Sequence, residues 1–123
     1  MLRCVLLPSC SIYGFLKPGV IADEDIATNP LTTYAKANER AGQGVLPLVD
    51  DGFCVVVLRQ ATMYGHSPRM RLDLAVNGLT YGIWKTGRLP LMRDGSQWRP
   101  MVHVKDRAAA QIFAIGSRAL PTR

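Results

Sequence analysis

Phe53-Cys54-Val55-Val56-Val57-Leu58 is an unbroken apolar run rich in β-branched side chains. A strand with one wet face alternates apolar and polar residues. A strand covered on both faces does not, and continuous runs of this kind mark parallel strands inside an α/β sheet. The flanking sequence supports that reading. Leu2 to Leu7 is a second short apolar run, ended by Pro8, and reads as another buried strand. Between the two runs, Leu31, Tyr34, Ala35, Asn38, Ala41 and Val45 follow helical spacing from an opening at Pro30 or Thr32, with Gly42, Gly44 and Pro47 weakening the far end.

Downstream the alternation continues. A loop is expected over residues 61–68. Leu72, Leu74, Val76, Leu79 and Ile83 predict a helix over 70–86, and a short strand is expected over 89–92. Asp94-Gly95 is a turn signal, residues 98–104 read as an extended piece, residues 105–117 as a final helix, and residues 119–123 as a frayed tail. Strand, helix, strand, helix at this spacing specifies an α/β protein. Residues 9–30 form the long loop of the chain, broken by glycines and prolines and carrying Asp23-Glu24-Asp25. Long loops in compact domains are disproportionately functional.

Composition narrows the class. The chain has 123 residues, 48% hydrophobic and 20% charged, with a net charge of +6. That is ordinary for one small globular domain and too aliphatic for a disordered chain. The basic residues are scattered, and no Lys/Arg run alternates with aromatics, so no nucleic-acid partner is expected. Cys4, Cys10 and Cys54 have neither CxxC spacing nor a nearby His, so no metal site is expected. Their odd number suits a reducing, cytoplasmic setting. The apolar stretch near Met1 is too short for a signal peptide, and no run is long enough to span a membrane.

Two features could carry chemistry. Ser9 and Ser11 lie in Pro8-Ser9-Cys10-Ser11-Ile12-Tyr13-Gly14, directly after the first strand, and ligands of open α/β sheets bind at the carboxyl ends of strands. Serines at such a place also simply make turn hydrogen bonds. Tyr34 falls one turn into the following helix, where a tyrosine can act as general acid or base if a nearby cation favours its phenolate. Alone, a tyrosine there is an ordinary half-buried side chain. His66, His103, Asp23, Glu24, Asp25, Trp84 and Trp98 read as loop, sheet or packing residues.

Taken in order, strand, Ser9 four residues before Tyr13-Gly14, acidic loop, Pro30 and Tyr34 resemble the extended short-chain dehydrogenases/reductases, the NAD-dependent epimerase/dehydratase family. Leu58-Arg59-Gln60-Ala61-Thr62-Met63-Tyr64-Gly65 is similar to that family's strand and nicotinamide-side loop. Asp94-Gly95-Ser96-Gln97-Trp98-Arg99-Pro100-Met101-Val102-His103-Val104-Lys105-Asp106 is similar to its G-D-G-x-x-R-x-x-V-x-V-x-D stretch. The resemblance implies the C-terminal part of a Rossmann-type parallel sheet with part of a small substrate-binding region, divided as residues 1–65 and 66–123. It implies Tyr34 and Ser9 as catalytic, and Tyr34, Asn38, Gln60 and Ala61 against NAD or NADP. It also implies Ser9, Thr62, Asn77 and Arg99 against a nucleotide-activated sugar, and a homodimer through the Tyr34 helix.

Two departures qualify the resemblance. The family pairs its Tyr with a Lys four residues on, where this chain has Asn38; Lys36, two residues on, is turned roughly 200° around a helix of 3.6 residues per turn. Asn38 can bond a ribose hydroxyl but brings no charge, and a phenol of ordinary pKa is ionised to only about one part in a thousand at pH 7. Nor does the sequence contain the G-x-x-G-x-x-G that lets a dinucleotide pyrophosphate approach the backbone. The expectation is therefore a fragment of an NAD(P)-dependent nucleotide-sugar epimerase, dehydratase or reductase, its cofactor-binding front half missing, Met1 an internal or misassigned start, and the chain inactive alone. The alternative is a non-catalytic truncated homologue serving as an interaction or dimerisation module.

Overall fold

The computed structural model describes residues 2–89, 91 and 94–117. Among the described residues, four short strands and three α-helices follow in the order β1 (Leu2–Leu6), α1 (Thr33–Val45), β2 (Phe53–Val57), β3 (Thr62–Tyr64), α2 (Ala75–Thr86), β4 (Met101–His103) and α3 (Val104–Gly116). Both strand pairs are parallel, β1 with β2 and β3 with β4. The chain divides into two compact units. One runs to Gln60 and takes in α3 from Gln111; the other is Ala61–Ala110.

In the first unit, β1 and β2 pair from Leu2 opposite Phe53 to Leu6 opposite Val57. The apolar run that predicted β2 supplies the centre of the core: Cys54 and Val55 are fully buried, joined by Ile12, Ala35 and Ala114. Entry into β2 is set by Asp50, whose carboxylate accepts from the backbone N–H groups of Gly52 and Phe53, both at 2.7 Å. Helix α1 begins where its sequence says it should. The Thr32 side chain accepts from Ala35 N at 3.1 Å and satisfies one of the donors a helix start leaves open. Pro47 follows its end within a 3-10 turn over Leu46–Leu48. At the far end of α3, Arg3 donates to the carbonyl oxygens of Ala114, at 2.9 Å, and of Ser117, so a β1 cation meets the negative end of a helix dipole.

Pairing of β1 with β2 outlasts both strands. Leu58 N donates to Leu6 O at 2.9 Å, Gln60 N to Pro8 O at 2.7 Å, and Cys10 N to Gln60 O at 2.8 Å. Ser9 thus stands in a parallel bridge with Gln60. The loop that follows is not irregular throughout: Cys10–Tyr13 form a 3-10 turn, capped by Ser9 Oγ, which accepts from Ser11 N at 3.2 Å.

In the second unit, Thr62–Tyr64 pair in register with Met101–His103. Part of the expected 61–68 loop is therefore a strand, β3, and β4 lies within the extended piece expected over 98–104. Helix α2 starts at Ala75, five residues later than the apolar spacing predicts. A Cβ on Gly78 would lie 2.4 Å from Leu72 O, so the chain folds back against the helix where periodicity alone continues it. Gly87, at φ 68°, closes α2 by donating to Ile83 O at 2.8 Å. The strand expected over 89–92 lies partly outside the described residues, and the two that are described, Leu89 and Leu91, are not in a strand. The frayed tail expected over 119–123 lies outside them entirely. The final helix, α3, lies within one residue of its expected bounds at each end.

Candidate functional site

In the first unit the polar groups gather where β1 and β2 end. Parallel pairing fixes their directions: Pro8 O and Cys10 N face Gln60, so the N–H of Ser9 points to the opposite side. It finds the side chain of Asn38, whose Oδ1 accepts from it at 2.8 Å. The other end of the same carboxamide, Nδ2, donates to the carbonyl oxygen of Tyr34 at 2.8 Å. The orientation of the amide is fixed by its partners, since a backbone N–H only donates and a carbonyl only accepts. Ser9, Tyr34 and Asn38, singled out from sequence, are thus joined through one side chain. Tyr34 itself is 63% exposed, with its ring on the open side of the first turn of α1.

Ser9 Oγ is engaged as the cap of the 3-10 turn, and as a hydroxyl it retains its own proton to donate. Two carboxamide contacts leave Asn38 one amide proton and one lone pair. Ser11, named beside Ser9 from the sequence, has a buried Oγ that is, among the described residues, the one buried side-chain oxygen or nitrogen lacking a hydrogen-bond partner.

A cluster that sequence reasoning missed braces the loop. Arg59 Nη1 donates to Tyr13 OH at 2.6 Å and to Glu24 O at 3.3 Å, and the guanidinium carbon lies 5.3 Å from the centroid of the Tyr13 ring. Asn29 N donates to Ile12 O at 2.8 Å, and Thr28 Oγ1 bonds Glu39 on α1. A small cavity of about 110 Å³ lies behind these residues, lined in part by Pro8, Ile12, Asn38, Glu39 and Arg59.

In the second unit, Thr62 opens β3, and its N–H donates to Pro100 O at 3.1 Å, beside exposed Arg99. Half-buried Ala61 precedes it. Asn77, in α2, has both ends of its amide engaged by backbone: Oδ1 accepts from Gly65 N at 3.3 Å, and Nδ2 donates to Arg71 O at 3.2 Å. The amide therefore braces the loop before α2. His103 meets the edge of Tyr64, ring centroids 5.3 Å apart, and its Nδ1 accepts from Lys105 N at 3.3 Å, which places the proton of the neutral ring on Nε2. Gly65 is pinned against this ring: at φ 119° a Cβ there would lie 2.8 Å from His103 Nε2. Among the described residues no cluster of His, Cys, Asp or Glu could hold a metal ion, and no helix is long and apolar enough to cross a membrane.

Solved structures share the fold of this chain. MoeE5 in complex with UDP-glucose and NAD is 28% identical and superposes with a TM-score of 0.80, over 95% of this chain and 39% of that one. TunA, an NAD-dependent NDP-hexosamine 5,6-dehydratase involved in tunicamycin biosynthesis, is 25% identical with a TM-score of 0.76, over 98% and 39%. UDP-glucuronic acid 4-epimerase from Bacillus cereus, in complex with UDP-glucuronic acid and NAD, shares the fold at 24% identity and a TM-score of 0.75, over 94% and 36%. The chain thus spans well under half the length of the structures it matches. The family model described as NAD dependent epimerase/dehydratase matches residues 1–121. A match over almost every residue, together with parallel strands that superpose on part of a Rossmann-like epimerase fold, means that the chain belongs to the NAD-dependent epimerase/dehydratase family.

Proposed function

We propose that this chain carries the serine–tyrosine side of an NAD(P)-dependent site that transforms a nucleotide-activated sugar. Residues 1–65 supply the catalytic part, and residues 66–123 part of the substrate-binding region. The observation that carries the reading is the Asn38 carboxamide, which ties the strand end bearing Ser9 to the helix turn bearing Tyr34. MoeE5, the 28%-identical relative, is in complex with UDP-glucose and NAD, which supports these ligand classes.

In this reading Tyr34 takes the proton from a sugar hydroxyl as it is oxidised and returns it on reduction. Ser9 donates a hydrogen bond to the same oxygen and stabilises the charge that develops on it. Asn38, Gln60 and Ala61 flank the nicotinamide ribose, and Thr62, Asn77 and Arg99 serve the substrate, the cation of Arg99 facing its diphosphate. Bound NAD(P) supplies the hydride acceptor. The residues present suit only the nicotinamide end of that cofactor. Asn38 keeps one amide proton and one lone pair for the ribose, but no glycine-rich loop for the pyrophosphate occurs in the 123 residues.

The test supplies that loop. This chain is joined behind the N-terminal part of MoeE5, and conversion of UDP-glucose is followed with NAD present. Tyr34→Phe and Ser9→Ala should each lower the rate by about 100-fold or more, the usual contribution of a general acid–base group or an oxyanion donor. Unchanged rates in both would overturn the assignment. The chain alone should show no saturable NADH binding at micromolar concentrations by fluorescence titration.

A further inference from the structure

The geometry points to Asn38 as a positioning residue that sets the spacing of Ser9 and Tyr34 by hydrogen bonding, without charge; the inference deepens the catalytic reading above and rests on it. A parallel strand directs successive backbone N–H groups to opposite sides. Because Cys10 N and Pro8 O are used by Gln60, the N–H of Ser9 faces away from β2 and needs an acceptor of its own. Asn38 Oδ1 supplies it at 2.8 Å, from a residue 29 positions away in sequence. The Nδ2 of the same planar amide is held at 2.8 Å by Tyr34 O, one helical turn back.

A carboxamide can do both things at once because it places an acceptor and a donor on one rigid plane. Lysine does not supply the same pair of bonds: its ammonium has three donors and no acceptor, so the Ser9 N–H would lose its side-chain partner. Aspartate keeps the acceptor for Ser9 and loses the donor to Tyr34. Leucine keeps the approximate volume and loses both. The three replacements therefore separate the acceptor from the donor, and both from any effect of charge.

The decisive measurement is amide hydrogen exchange on the 123-residue chain, read by NMR at Ser9 with Val55, in the middle of β2, as the internal reference. Asn38→Leu and Asn38→Lys should speed exchange at Ser9 by about tenfold, the effect of losing one well-made hydrogen bond, with Val55 changed by less than about threefold. Asn38→Asp should hold Ser9 near its original rate. If Asn38→Leu fails to fold, the contrast between Asn38→Asp and Asn38→Lys carries the same information. Unaltered exchange at Ser9 in Asn38→Lys would overturn the proposal. In the MoeE5 fusion, Asn38→Lys should lower kcat by about tenfold while KM for UDP-glucose stays within about twofold, the signature of lost alignment rather than lost binding. A rise in kcat on introducing the lysine would show that position 38 works through charge, and would overturn the proposal equally. The exchange measurement needs no turnover, so failure of the serine–tyrosine chemistry would appear separately, as normal turnover in Ser9→Ala.

Discussion

A Cβ on Gly14 would stand 2.2 Å from the carbonyl oxygen of Asn29. Gly14 also sits at φ 66° and ψ −141°, a region that side chains other than hydrogen rarely enter. Together these pin the two ends of the 15–28 loop against each other. Gly14→Ala should cost roughly 1–3 kcal/mol from the backbone conformation alone, more with the collision. Denaturant unfolding of the variant should show a lower midpoint, with limited proteolysis faster within residues 15–28. A midpoint equal to that of the parent chain would refute the strain at this position.

Thr32 offers a cleaner local test. Its hydroxyl bonds Ala35 N at the start of α1. Thr32→Ala should lower stability by about 1 kcal/mol, and Thr32→Asp, which keeps an acceptor and adds a favourable charge at the positive helix end, should restore it. Chemical denaturation of the two variants side by side decides the matter. Equal losses in both would mean that the cap contributes nothing.

Tyr13 and Arg59 brace the loop by a hydrogen bond and a cation–π contact. Because their hydrogen bond is exposed, solvent screens the pair. Tyr13→Phe keeps the ring face and removes the oxygen, so it should cost about 0.5–1 kcal/mol; Arg59→Leu removes both contacts and should cost more. Cleavage of the 15–28 loop by protease should follow the same order, and the reverse order would refute the bracing role.

Asp73 supplies a pH test. A side-chain hydrogen bond from Arg71 holds its carboxyl below the ordinary carboxylate range. A group whose pKa is lowered on folding adds stability above its unfolded pKa and loses it as pH falls through the folded value. Carboxyl chemical shifts should therefore place the Asp73 midpoint below that of an unpaired aspartate, and Arg71→Leu should raise it. Both groups are well exposed, so moderate salt should weaken the difference. A midpoint indifferent to Arg71→Leu would rule out the guanidinium as the cause.

The sequence carries the first unit more fully than the second. β2 was legible because Phe53 to Leu58 is apolar without interruption, and α1 because Thr32 and the 3.6-residue spacing agree. β3 was not, because Thr62–Tyr64 are a strand only through pairing with Met101–His103, nearly forty positions away, and no local pattern reports that. The late start of α2 was hidden for the same reason: apolar spacing continues through Leu72 while the backbone there doubles back on Gly78. At the candidate site, the order along the chain singles out Ser9 and Tyr34, which the structure joins through Asn38. The pair of hydrogen bonds made by Asn38 was not legible, since Asn at that position reads as a lost charge until the direction of the Ser9 N–H is known.

The bridge between Ser9 and Gln60 carries one more implication. Residue 9 is held in place by main-chain groups of its neighbours, Pro8 O and Cys10 N, and by its own N–H. None of these depends on which side chain it bears. The side chain at this point can therefore change without moving the backbone of residue 9, although the Cys10–Tyr13 turn keeps its cap only if the replacement retains an acceptor.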